Sequence, residues 1–203
     1  MCWLKLLIPF LIGSILCGCS KYPVSGIVNI NSPSKRNTVY LVKPQYFRSV
    51  ASSFEGTVID STNINKDGSF HFIKMPDTKD KTLFLLIIQD KNEKYPTKLE
   101  NDDIPKANYI PFIFENNATV IIKTTADHFL EDAEIQSNIQ ENKKITSLIK
   151  SKIESFNLTK NISQDFNEAT HLDDEKTKYQ SQKLLIANVE NNNDVLINAL
   201  ALR

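Results

Sequence analysis

The stretch that most restricts the fold is residues 54–74, where two runs of β-forming residues flank Lys66-Asp67-Gly68. An Asp-Gly pair between such runs signals a tight hairpin, because glycine accepts positive φ without a Cβ clash. Just after it, Phe70 and Phe72 fall on one strand face, with Ser69 and His71 on the other. Similar short runs recur on both sides. Residues 22–30 read as an opening strand, with Pro23 at its start, where no ladder donor is needed. A turn at 33–37 leads into a second strand, Thr38-Val39-Tyr40-Leu41-Val42. Leu83-Phe84-Leu85-Leu86-Ile87-Ile88 is apolar without alternation, which predicts a central strand covered on both faces. Residues 109–115 and 118–123, joined by Glu115-Asn116-Asn117, predict another hairpin. A short strand near Ala133-Glu134-Ile135 completes a seven- or eight-stranded, antiparallel β-sandwich-like domain in a mainly β chain.

Residues 90–108 are charged and carry Pro96 and Pro105, and they read as a long surface loop, a length often tied to function. Tyr95 and Tyr109 are its candidates for stacking on a ligand. Beyond residue 136 the period changes. Ser137-Asn138-Ile139-Gln140 reads as a capping box, and Ile145, Leu148, Ile149, Ile153 and Phe156 follow as one helical stripe. A second helix is expected over about 173–189, with Leu184, Leu185, Ile186 and Val189 apolar. A third is expected to start near Asp194, which can cap it, and holds Val195, Leu196, Ile197, Leu200 and Leu202. So short a helix is marginal alone and must dock on the preceding helices or on another protein.

The amino terminus reads as an address. Lys5 precedes an apolar run over residues 6–16, of signal-peptide length and short of the ~20 residues a membrane-spanning helix needs. It closes on Leu16-Cys17-Gly18-Cys19, which resembles a bacterial lipobox, with cleavage expected between Gly18 and Cys19. Cys19 would carry the lipid, since a thioether needs a thiol there and several acyl chains anchor far better than one. Residues 1–18 are thus read as a lipoprotein signal peptide, 19–136 as the β domain and 137–203 as the helical segment. Ser20 and Lys21 bring no acidic cluster, so the expected place is the outer membrane, facing the periplasm.

The composition excludes several chemistries. Twenty-four basic residues balance 24 acidic ones, and no basic patch points to nucleic acid. Of the three cysteines, Cys2 and Cys17 leave with the signal and Cys19 is consumed by lipid, so no disulfide or Cys-x-x-Cys site is expected. Asn63, Asn65 and Asp67 match part of an EF-hand loop, but the twelfth position is Lys74 and the flanks are strands; a structural turn is the simpler reading and no metal is expected. His71 reads as a solvated strand residue. His171 beside Asp173, Asp174 and Glu175 reads as the acidic first turn of a helix, which suits the helix dipole without a ligand. Asp60-Ser61-Thr62 resembles a short O-glycosylation sequon, with Ser61 as acceptor. No Ser-His-Asp order, P-loop or dinucleotide turn is present, so no catalytic residue and no cofactor is assigned.

Four segments together resemble a known family: Val24-Ser25-Gly26-Ile27; Ile59-Asp60-Ser61-Thr62 with Asp67-Gly68-Ser69-Phe70-His71-Phe72; Phe112-Ile113-Phe114-Glu115-Asn116; and Ile135-Gln136-Ser137-Asn138. The set resembles the β domain and helical linker that open many Bacteroidetes-type thiol–disulfide oxidoreductase lipoproteins, with Gln136 where a glycine is expected. The likeness covers about residues 22–203. It implies that the thioredoxin-like domain of those proteins, with its redox dithiol, would lie beyond Arg203 or on another chain.

The expected function is therefore a non-enzymatic docking module at the envelope, held to the membrane by its lipid. Val195, Leu196, Leu200 and Leu202 are its candidate partner surface. Two alternatives stand beside it. One is the accessory half of a split oxidoreductase, partnered by a thioredoxin-like protein. The other is a glycan- or peptide-binding lipoprotein using the 90–108 loop.

Overall fold

The computed structural model describes residues 22–31, 33–45, 56–93, 104–160, 162, 168–190 and 193–201. Eight strands come first: β1 (Val24–Asn29), β2 (Lys35–Pro44), β3 (Gly56–Asn63), β4 (Ser69–Phe72), β5 (Thr82–Asp90), β6 (Tyr109–Phe114), β7 (Val120–Thr125) and β8 (Glu134–Ser137). Three helices follow: α1 (Gln140–Thr159), α2 (Glu168–Glu190) and α3 (Val195–Ala201). The fold is mainly β, with two four-stranded sheets in the orders β4-β1-β7-β8 and β3-β2-β5-β6.

β5 is the central strand its sequence predicts. It pairs with β2 on one side and β6 on the other. Phe84 to Ile88 are wholly buried on both faces, so the run needs no polar alternation. The rings of Phe84, Phe112 and Phe114 meet at centroid distances of 6.0 and 6.3 Å.

The two expected hairpins are corrected. The turn at Lys66-Asp67-Gly68 forms: the Asn65 N–H donates to the Ser69 carbonyl at 2.9 Å, and Gly68 takes φ 82°. The Asp67 carboxylate accepts from the Ser69 N–H at 3.0 Å and its hydroxyl at 2.7 Å, which lowers the Asp67 pKa. One rung away the strands part. The Ile64 N–H goes to Asn37, in the β3–β2 sheet, while the Gly68 carbonyl accepts from Val28, in the other sheet. The turn at Glu115-Asn116-Asn117 behaves alike. Asn117 takes φ 66°, yet β6 and β7 belong to different sheets. Both turns are therefore arches over the core.

Arches also explain a pairing absent from the expected antiparallel pattern. β1 lies between β4, antiparallel, and β7, parallel. Gly26 sits at the tightest point of this triplet. A Cβ there would stand 1.8 Å from the Ile122 carbonyl oxygen and 2.8 Å from the Phe70 ring, so only glycine fits.

α1 follows directly from β8, and the expected capping box is not formed. Ser137 ends β8 instead, its hydroxyl accepting from the Ile139 N–H and the Asn142 amide, both at 3.1 Å. Asn142, fully buried, does more than a cap would. Its Oδ1 accepts from the Ile113 N–H at 2.7 Å and its Nδ2 donates to the Ile113 carbonyl at 2.8 Å. The side chain takes the place of a next strand and closes the edge of β6 to foreign strands.

Candidate interaction surface

α2 begins at Glu168, earlier than expected, so Asp173, Asp174 and Glu175 lie beyond its first turn. Asp173 pairs with Lys176 at 3.3 Å and Glu175 with Lys178 at 3.0 Å. Two sets of its residues point opposite ways. Ser181 and Asn188 meet α1, with the Ser155 and Ser181 hydroxyls 2.5 Å apart and the Asn188 amide donating to Ser151 at 3.0 Å. Leu172, Tyr179 and Ile186 are 66%, 59% and 46% exposed. They follow one another at seven residues, two helical turns, so they line one stripe. Lys183 reaches over the Tyr179 ring, 4.8 Å from its centroid. At the start of α3, Val195 is 79% exposed.

This arrangement revises the expected partner surface. Leu200 is 5% exposed and its neighbour Ile197 1%, because α3 folds back onto α1 and α2 and spends its apolar side there. Of the expected set, Val195 is presented to solvent; Leu196 lies within α3, and Leu202 is outside the described residues. In the sequence Ile186 reads with Leu184, Leu185 and Val189 as one apolar cluster, which hides the stripe on α2. The seven-residue spacing from Leu172 was the available signal.

α1 carries one residue at odds with its neighbours. Lys152 shares a helix face with Ile145, Leu148, Ile149 and Phe156, at spacings of seven, four, three and four. Burial there lowers its pKa to about 8.

The other expected sites resolve as follows. Ser61 is exposed on β3, the edge strand of its sheet, and its N–H is taken by the Asp60 carboxylate at 2.8 Å. Asn63 accepts from Thr38 at 3.2 Å and Asn65 donates to Ser69 at 2.9 Å, so this partial cation pattern is bound into the turn and its strand. Among the described residues no group of three or more His, Cys, Asp or Glu is placed to hold a metal ion.

Tyr109 is not a loop platform. It lies in β6 packed on the core, and burial raises its pKa to about 12; Tyr95 is outside the described residues. His71 is stacked on Tyr22, ring centroids 3.8 Å apart, rather than free in solvent. His128 meets Glu131 at 3.1 Å, and His171 lies in α2. An open groove of 530 Å³ lies at the end of the sandwich where β1 finishes, lined by Asn29, Asn31, Asn37, Asn65 and Asp67 among others.

Gly18 and Cys19 lie outside the described residues, and among those described no helix is long and apolar enough to cross a membrane. Neither protein-family models nor curated proteins yield a match to the chain.

Proposed function

We propose that the protein is a lipid-anchored, non-catalytic docking module of the cell envelope, and that an envelope protein seats on the outer face of α2. The observation that carries this reading is the exposed stripe of Leu172, Tyr179 and Ile186, set on the side of α2 opposite its polar seam with α1. Exposed apolar residues scattered singly are ordinary; the reading rests on the alignment of these three at seven-residue intervals, with Glu175, Lys176, Gln182 and Lys183 between them. The lipobox ending at Cys19 supplies the membrane attachment, and the resemblance to oxidoreductase lipoproteins suggests a thioredoxin-like chain as one partner.

The test places a photo-crosslinking amino acid at Tyr179 and irradiates native membranes. A defined partner crosslinked there, and lost in Leu172→Asp/Ile186→Asp, supports docking. If that partner has a thioredoxin fold, the protein is the anchor half of a redox pair. No crosslinked species would end the docking reading. The anchor has a separate test: Cys19→Ala should abolish fatty-acid labelling and membrane retention.

The Asn-lined groove favours a second reading, ligand binding, since side-chain amides both donate to and accept from sugar hydroxyls or peptide groups. Saturable glycan binding lost in Asn37→Ala would support it.

A further inference from the structure

We propose that the end of the sandwich where β1 begins rests on the lipid bilayer, with Ile73 as the side chain that enters it. The proposal rests on the reading that Cys19 is lipidated. Three residue steps separate Cys19 from Tyr22, and even a fully extended chain spans only about 10 Å over that length. An anchored domain therefore cannot stand off from the headgroups, and the end carrying Tyr22 is held next to them.

The topology puts apolar surface at that same end. Val24, the first residue of β1, pairs with Phe72, the last of β4, so Ile73 emerges beside the tether. Ile73 is 68% exposed. Met75 and Pro76 follow it half-buried, and the stacked Tyr22 and His71 rings lie alongside. Val58, 42% exposed, comes from the beginning of β3, which starts at this end too. At the opposite end the loops present Asn29, Asn31, Asn37, Asn65, Lys66 and Asp67. The tethered end thus presents Ile73 and Val58 among charged side chains, while the far end is lined mainly by side-chain amides, with Ile27 38% exposed beside them.

The charges at the tethered end determine the kind of contact. Lys74, Lys79 and Lys81 are accompanied by Asp77, Asp80, Glu115 and Glu141. Lys81 is paired with Glu141 at 2.6 Å. A face so balanced has little attraction for anionic headgroups, so contact comes from apolar side chains and should persist in high salt.

Because Cys19 would be the only cysteine left after cleavage and its sulfur would be held in a thioether, a nitroxide can be attached at one chosen site. Full-length Ile73→Cys and, at the far end, Lys66→Cys are labelled in the lipidated protein and reconstituted into phosphatidylcholine vesicles. The expected result is a severalfold higher ratio of oxygen to nickel-chelate accessibility at position 73 than at position 66, unchanged in 1 M salt. Equal, water-like ratios at both positions, with the protein still on the vesicles, would overturn the proposal and leave the anchor intact. Shielding of position 73 from both reagents would overturn it in favour of a protein covering this face. If Cys19→Ala keeps its membrane retention and fatty-acid label, the anchor reading fails first and takes this proposal with it.

Discussion

The sandwich and the seam between α1 and α2 differ in the contacts that hold them. Between the sheets the contacts are dry: Phe84, Leu86, Ile110 and Phe112 are wholly buried, and each stands in a fixed cross-strand register. Between α1 and α2 the contacts named above are hydroxyl to hydroxyl and amide to hydroxyl, through Ser151, Ser155, Ser181 and Asn188. A hydrogen bond made on folding replaces one made to water and yields about 1 kcal/mol net, whereas a buried Phe or Leu yields about 1.5–3 kcal/mol. The sandwich should therefore hold the fold, while α2 is the more weakly held element. Low-stability elements are the ones that move in recognition.

The largest effect should come from the sandwich. Phe84→Ala removes a ring from the centre of the core and should cost about 3–5 kcal/mol in urea unfolding. A loss below 1 kcal/mol would mean that the core is not organised around β5. The junction of the two regions comes next. Asn142→Ala leaves both the N–H and the carbonyl of Ile113 without their partner, and should cost about 2–4 kcal/mol. The freed β6 edge should also promote self-association, read by light scattering.

Lys152 sharpens the contrast through pH. Its pKa is lowered by burial, so the folded protein binds fewer protons than the unfolded chain between about pH 8 and the ordinary lysine range. Stability should accordingly rise with pH across that window, the cost of the buried charge being fully present below pH 8. Lys152→Met should stabilise the protein at pH 7 by on the order of 1–3 kcal/mol and flatten that rise, measured by urea unfolding at pH 7 and 10. The smallest effect belongs to the helix seam. Ser181→Ala should cost about 0.5–1.5 kcal/mol, and amide exchange in α2 should precede that in β5. Slower exchange in α2 than in β5 would reverse the comparison.

The Lys81–Glu141 pair adds a check on the junction in acid. Glu141 has its pKa lowered, chiefly by its hydrogen bond from Lys81. Its contribution is present above the ordinary carboxylate range and should fade as pH falls through the lowered value. Glu141→Gln should remove that part of the acid dependence, followed by thermal unfolding from pH 7 to 3.

Much of this was legible in the residues. The unbroken apolar run at 83–88 is, at that length, better read as a strand covered on both faces than as a helix, and β5 is one. Ile145, Leu148 and Ile149 repeat at helical spacing, and α1 buries them. Asp194 before an apolar heptamer forecasts a cap, and the Ile197 N–H points to its carboxylate at 3.4 Å. The expected capping box failed because Ser137 had a second use: as the last residue of β8 its hydroxyl serves Ile139 and Asn142. Leu200 was not legible as buried, because an amphipathic stub does not reveal whether its apolar side is already occupied. Leu200 is occupied, while Leu172, Tyr179 and Ile186 on the neighbouring helix are not.

What the sequence by itself determined is local: where strands and helices run, and where the chain must turn, since these follow from side-chain period and from the φ that Gly68 adopts. Only the tertiary structure decided which strands pair. Lys66-Asp67-Gly68 folds the same tight turn whether its flanks stay together or part, because one hydrogen-bonded rung closes it. The choice is made by partners distant in sequence. Gly26 admits β7 against β1 because it has no Cβ, and Asn37 takes the backbone of Ile64 into the other sheet. No window of sequence contains both sides of those contacts.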